Sequence, residues 1–339
     1  MNQFEKIISE LQSAPKTWLV TGAAGFIGSN ILEVLLRSNQ KVVGLDNFAT
    51  GFQHNLDEVK EVVGEKWNNF SFINGDVREF DLCLKACKGV DYVLHQGALG
   101  SVPRSIEDPL LSNEVNVNGT LNIFKAAAEN GTKRVVYASS SSVYGDDDST
   151  PKVEEKVGNV LSPYAVTKKT NELYAQVCQQ HYGIEIIGLR YFNVFGKRQN
   201  PNGAYAAVIP KWIQGLIDNE EIFINGDGST SRDFTYIQNV VELNILAATS
   251  HTQFSESTVF NGAVGATTNL NELFTHLKQI LQEKFEHVAD SNAVYRDFRK
   301  GDITHSFANI DKAKKLIGYS PKVKIEEGLR LAVEWYTKR

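Results

Sequence analysis

The chain has 339 residues, 42% hydrophobic and 22% charged, which is enough for one large α/β unit or two closely packed domains. Its 10% aromatic content argues against disorder, and a net charge of -5 gives no electrostatic ground for binding nucleic acid. Anionic small molecules stay compatible with it, because a few local arginines bind phosphate whatever the overall charge. Cys83, Cys87 and Cys178 are too few for a disulfide framework, and no Cys/His cluster at zinc spacing accompanies them, so no metal site is expected. No apolar run approaches the ~18 residues of a membrane span, and the N-terminus lacks a signal-peptide pattern. The expectation is a cytoplasmic protein with reduced cysteines, away from membranes.

Phe4, Ile7, Ile8 and Leu11 recur at helical spacing before Pro15 and predict an amphipathic helix over 3–14 docked on the body of the protein. Short apolar runs then alternate with helix-period stretches. The runs at 17–21, 41–46, 70–74, 91–94, 133–138 and 185–190 are β-branched and continuously apolar, as strands covered on both faces are. Helices are predicted over 26–38, roughly 112–130 and 162–182, the last two closed by Gly131 and Gly183. The alternation reads as a doubly wound α/β parallel sheet. Beyond residue 195 the pattern loosens through a Gly/Asn/Pro-rich stretch (196–204), a helix-like segment near 208–219 and the turn-rich NGDGSTSRDF (225–234). The division expected is a nucleotide-binding domain over 1–195 and a smaller, mainly substrate-binding region over 196–339, with a discontinuous division as the alternative.

The first run leads into Gly22-x-x-Gly25-Phe26-Ile27-Gly28. Gly22 permits the tight turn, Gly25 lets the backbone approach a pyrophosphate, and Gly28 lets the helix pack on the strand. The helix N-terminus favours the negative charge. A glycine pattern alone is weak. Here a strand precedes it, an apolar helix face (Ile27, Ile31, Leu35) follows, and Asp46 ends the second strand 18 residues after Gly28. A carboxylate there accepts both ribose hydroxyls and repels a 2′-phosphate. No arginine follows in Asn47-Phe48-Ala49-Thr50-Gly51, so NAD is expected over NADP. Asp76 either reaches the adenine or caps the helix that follows.

Tyr164 and Lys168 stand at (i, i+4) in a helix opened by Ser162 and Pro163, so both face one side. Alone, that pair is commonplace on solvated helices, and the serine run Ser139–Ser142 alone reads as a polar strand end. In a doubly wound sheet, however, both would meet at the carboxyl edge beside a bound nicotinamide. A free tyrosine, with a pKa near ~10, is a poor base at neutral pH; a neighbouring ammonium and a cationic nicotinamide favour the phenolate. Tyr164 is the expected base, Lys168 its electrostatic partner, and a hydroxyl of the serine run holds the oxygen or relays the proton.

These motifs, with Tyr144-Gly145, resemble the extended short-chain dehydrogenase/reductases. More narrowly, LHQGALGSVPRS (94–105), LSPYAVTK (161–168), LRYFNVFG (189–196), NGAYAAVIPKW (202–212) and NGDGSTSRDF (225–234) resemble UDP-N-acetylglucosamine 4-epimerases of the bacterial lipopolysaccharide O-antigen type. The resemblance implies a Rossmann domain binding NAD through Gly22, Gly25, Phe26, Ile27, Gly28, Asp46, Asn47, Asp76, Val77, Gln96, Tyr164 and Lys168. It implies a UDP-sugar bound by Ser101, Ser140, Ser141, Ser142, Asn193, Ala207, Val208, Arg232, Arg299, Asp302 and Ser306, with Arg232 and Arg299 on the diphosphate. The reaction implied is 4-epimerisation through a transient 4-keto sugar, with Ser140 as the catalytic proton relay, in a homodimer joined by the helices near 112–130 and 162–182.

Two features narrow that activity. Related dehydratases and decarboxylases carry acidic residues just after the active-site serine or threonine, where this chain has Ser141, Ser142 and Val143. Epimerases limited to UDP-glucose and UDP-galactose carry a bulky aromatic where this chain has Ser306, so a 2-acetamido sugar is implied; a uronic-acid form is also compatible. The rivals are a sugar-nucleotide dehydratase, decarboxylase or reductase on the same fold, and a non-catalytic NAD-binding sensor. The chain departs from the family's His-x-Ala-Ala in having His95-Gln96-Gly97-Ala98.

Overall fold

The structure is a computed structural model that describes residues 2–202, 206–298 and 305–338. Its centre is a seven-stranded parallel sheet. The strands are β1 (Thr17–Thr21), β2 (Lys41–Asp46), β3 (Phe70–Asn74), β4 (Tyr92–His95), β5 (Arg134–Ser140), β6 (Glu185–Tyr191) and β7 (Thr258–Gly262), in the spatial order 7-6-5-4-1-2-3. The order reverses between β1 and β4, which opens a crevice at their carboxyl ends.

Successive residues explain why these strands are apolar throughout. Trp18 and Val20 join one core layer with Ile31, Leu32 and Leu35 of the helix Phe26–Arg37 (α2), whereas Leu19 joins the other with Ile123 and Phe124 of the helix Gly119–Glu129 (α3). Both faces of the sheet are covered, as parallel sheets require. The N-terminal helix Gln3–Ser13 buries Ile7 and Leu11 on the first of these layers and is closed by a capping box between Asn2 and Glu5. No described helix is long and apolar enough to cross a membrane.

Two differences from the sequence reading matter for the site. The stretch 112–130 is three pieces: a short helix Pro109–Asn113, a π-helical turn Glu114–Asn118, and α3. Second, the chain beyond residue 195 comes back to the sheet. The helix Ile237–Thr249 packs into the same layer as α2, and β7 pairs with β6 from Thr258↔Ile187 to Gly262↔Tyr191. Outside the sheet lie, among others, the helices Val208–Ile217, Leu270–Leu281 and Ile325–Tyr336 and a small three-stranded sheet in which Ser231–Arg232 is flanked by Thr268–Asn269 and His305–Ser306.

Candidate active site

A cleft of about 650 Å³ lies along the carboxyl ends of β1, β2 and β4. Gly22, Gly25, Phe26, Ile27, Gly28, Asp46, Asn47, Asp76, Val77 and Gln96 all line it. Gly22 has φ +67°, and a Cβ there would sit 2.9 Å from the Gly97 backbone nitrogen. A Cβ on Gly28 would lie 2.0 Å from the Gly22 carbonyl oxygen, so the turn and the first coil of α2 close only with hydrogen at both positions. The Asp46 carboxylate accepts the Ala24 and Phe48 backbone N–H groups at 2.9 and 2.8 Å. Burial nevertheless raises its pKa, so it is a desolvated acceptor at the cleft wall. These features fit a dinucleotide: bare backbone against a pyrophosphate, and a buried carboxylate one strand away for the ribose.

Asp76 does not cap a helix. The next helix, Phe80–Ala86, has Glu79 as its N-cap. Asp76 instead accepts Arg78 in a salt bridge of 2.8 Å and the Asn47 side-chain amide at 2.8 Å, and Arg78 holds its carboxyl below the usual range. Arg78 also lines the cleft, and nothing in the sequence distinguished it from a surface arginine.

The catalytic candidates meet at the end of β5. Ser162 caps the helix Pro163–Tyr182 (α4) by accepting the Ala165 N–H, and the Tyr164 N–H is held at 3.0 Å by the Ser105 hydroxyl. Lys168 is buried and donates to the Ala138 carbonyl at 2.7 Å, with its ammonium 5.8 Å from the centre of the Tyr164 ring. Ser140 ends β5, accepts the Ser142 N–H at 3.1 Å, and lies against the Tyr164 phenol. Ser141 and Ser142 form the 3₁₀ turn that follows, and the buried Ser142 hydroxyl has no hydrogen-bond partner. Tyr164, Lys168 and Ser140 are not among the residues that line this cleft.

In the chain alone, burial raises the Tyr164 pKa, with Ser140 pulling the other way, and burial pushes Lys168 down to about 8. A low Tyr164 pKa is therefore not a property of the polypeptide by itself. The Lys168 ammonium, 5.8 Å from the ring centre, and the cation that a bound NAD would add both favour the phenolate against that burial.

A second cleft of about 820 Å³ adjoins the first, sharing Ser101 and Ala206. Asn193, Val208 and Arg232 line it, while Ala207 faces the first cleft. Ser101 (φ +119°) and Asn193 (φ +34°) hold unfavourable backbone conformations at its edge. Ser306 is the register partner of Arg232 across a parallel strand pair. Lys211 and Arg296 add two cations that the sequence reading did not single out, although Lys211 lies within the segment NGAYAAVIPKW (202–212). Arg299 and Asp302 lie outside the described residues.

Comparison with known proteins agrees with this arrangement. The profile of the NAD dependent epimerase/dehydratase family matches residues 18–263. The UDP-N-acetylglucosamine 4-epimerase of Methanobrevibacter ruminantium M1, solved with UDP-N-acetylmuramic acid, is 38% identical with a TM-score of 0.87, over 96% of this chain and 99% of that one. The UDP-glucuronate 4-epimerase of Thermodesulfobacterium geofontis is 32% identical over 320 residues, covering 94% and 95% of the two chains. The UDP-glucose 4-epimerase of Mycolicibacterium smegmatis is 32% identical over 323 residues, covering 95% and 98%. With the glycine turn, the buried Asp46 and the Ser140, Tyr164, Lys168 cluster on one seven-stranded sheet, the chain belongs to the NAD-dependent epimerase/dehydratase family, within the extended short-chain dehydrogenase/reductases.

Proposed function

We propose that this enzyme interconverts UDP-N-acetylglucosamine and UDP-N-acetylgalactosamine by 4-epimerisation. The observation that carries the substrate choice is Ser306, a small side chain in register with Arg232, the candidate diphosphate ligand. With the diphosphate on Arg232, a neighbouring serine leaves volume for a 2-acetamido group that an aromatic ring would fill. Tyr164 takes the proton from the C4 hydroxyl and later returns it, and Ser140 hydrogen-bonds the same oxygen. Lys168 favours the phenolate. Bound NAD supplies a reversible hydride acceptor at C4. The roughly 820 Å³ cleft gives the 4-keto sugar space to present its other face while Arg232 and Asn193 keep the nucleotide in place.

The test is incubation of purified protein with UDP-N-acetylglucosamine, without added cofactor, following the anomeric protons by NMR. Appearance of UDP-N-acetylgalactosamine supports the reading and shows that NAD co-purifies. A released 4-keto or decarboxylated product defeats it, and conversion of the uronic acids alone moves the substrate to C6-oxidised sugars. Ser306→Tyr is expected to lower kcat/KM for the acetamido substrate roughly tenfold or more. Unchanged turnover of that substrate in the variant removes the size argument.

We also propose a homodimer. Leu110 (77% exposed) and Ile106 lie on the short helices before the π turn, beside the outward face of α4 that carries Val166, Leu173 (55% exposed) and Val177. These exposed apolar side chains lie on helices that pack against one another, and a second copy of the chain would cover them. Light scattering is expected to give twice the chain mass, and a monomer mass at micromolar concentration refutes the proposal.

A further inference from the structure

His95 ends β4 with its ring buried, and both ring nitrogens are engaged. Nδ1 is 2.6 Å from the Thr21 hydroxyl, and Nε2 is 3.0 Å from the Thr120 hydroxyl. The proton positions follow from the neighbours. Thr120 lies 2.6 Å from the Asn116 carbonyl oxygen, which can only accept, so the single Thr120 proton goes there. Thr120 must then accept from His95, and Nε2 carries the ring proton. Nδ1 is left as an acceptor for the Thr21 hydroxyl, whose oxygen accepts the Gly97 N–H at 3.0 Å. The ring is neutral: burial, with the Lys168 ammonium adding to it, pushes its pKa down to about 3.

What the ring joins gives the arrangement meaning. On the Nδ1 side are Thr21, where the glycine turn begins, and Gly97, against which Gly22 packs. On the Nε2 side, Thr120 also accepts from the Asn171 amide of α4. Asn116 sits in the π turn, bonds both backbone groups of Leu99, and donates to the Thr167 hydroxyl, which donates to the Tyr164 carbonyl at 2.7 Å. A directed chain of hydrogen bonds therefore runs from the dinucleotide turn to the backbone of the candidate base.

We propose that His95, locked as the Nε2–H tautomer, is a positioning residue that sets the helix bearing Tyr164 and Lys168 against the dinucleotide turn. The proposal rests on the reading that Tyr164 acts beside bound NAD, but part of its test does not. In protein labelled with ¹⁵N-histidine, the His95 signals should show a protonated Nε2 and a bare Nδ1, unchanged across about pH 5–8. A titrating ring or the opposite tautomer overturns the proposal whatever the substrate proves to be.

Two variants separate the halves of the link. His95→Asn keeps an acceptor near the Nδ1 position and loses the donor to Thr120; it should retain NAD through gel filtration while kcat falls roughly 10–100-fold. His95→Gln keeps a donor near Nε2 and loses the acceptor for Thr21; it should shed NAD, with kcat largely recovered at saturating NAD. If both variants instead lower only the melting temperature, with NAD retention and kcat per folded molecule as in the parent, His95 is structural and the proposal fails.

Discussion

Tyr164→Phe should reduce kcat by roughly 10²–10⁴-fold while NAD stays bound. The substitution removes one oxygen and keeps the ring volume. The contacts that hold the segment use other atoms: the Tyr164 N–H on the Ser105 hydroxyl, its carbonyl on Thr167, and Lys168 on the Ala138 carbonyl. The loss is therefore the loss of a proton acceptor and not of a fold. The pH profile adds a second check. Deprotonation of Tyr164 gives a limb of kcat/KM that rises with pH. Loss of the Lys168 proton, whose pKa burial pushes down to about 8, removes a cation from beside the phenol and lowers kcat/KM as pH rises through that value. In the phenylalanine variant the rising limb should vanish. Turnover measured by NMR within a few-fold of the parent would take the base role from Tyr164. A variant that loses NAD would show that the phenol belongs to the binding site instead.

The parts of this molecule that were legible in its sequence are those where one physical demand sets several neighbouring residues. A strand buried on two faces must be apolar at every position, so β1 to β6 stand out within a residue or two of their observed ends. A pyrophosphate turn excludes side chains at three spaced positions, and the glycines record it. Where the demand is met by a single residue, or by groups distant in sequence, little could be read. β7 is five residues in a region without regular alternation, and it is a strand only because β6 offers an edge at Ile187–Tyr191. The π turn at Glu114–Asn118 lies inside a helix-period stretch. Asn116 within it, and Thr120 at the start of α3, are buried on hydrogen bonds to Leu99 and His95, partners invisible to local periodicity. Asp76 was ambiguous because a cap and a cleft carboxylate look alike until Arg78 and Asn47 are seen to occupy it. The tyrosine pKa is a further case. Spacing placed an ammonium near the phenol, but burial, the larger influence in the chain alone, pushes the phenol the other way.

Breaking the ion pair beneath the candidate catalytic serine should have the largest effect on stability. Glu172 is one helical turn beyond Lys168 and two beyond Tyr164, on the same face of α4, and it is buried with Arg190 of β6. Arg190 meets both carboxylate oxygens, Nε at 2.8 Å and a terminal nitrogen at 2.9 Å, while its other terminal nitrogen bonds the Glu154 carbonyl. The same carboxylate accepts the hydroxyl of Ser139, the residue before Ser140, at 2.8 Å. Arg190→Met leaves a carboxylate shut away from water with only Ser139 and the more distant Lys169, 3.6 Å away, to hold it. The cost of orphaning one partner of such a pair is about 3–5 kcal/mol. Replacing both partners by apolar residues removes the stranded charge, so Glu172→Leu with Arg190→Met should recover much of that loss in chemical denaturation. Activity should not recover with it, because Glu172→Leu takes from Ser139 the acceptor that fixes the end of β5, and Ser140 would no longer be held against Tyr164. A single variant within about 1 kcal/mol of the parent, or a double variant that regains full kcat, would show that the pair neither supports the fold nor orients the serine.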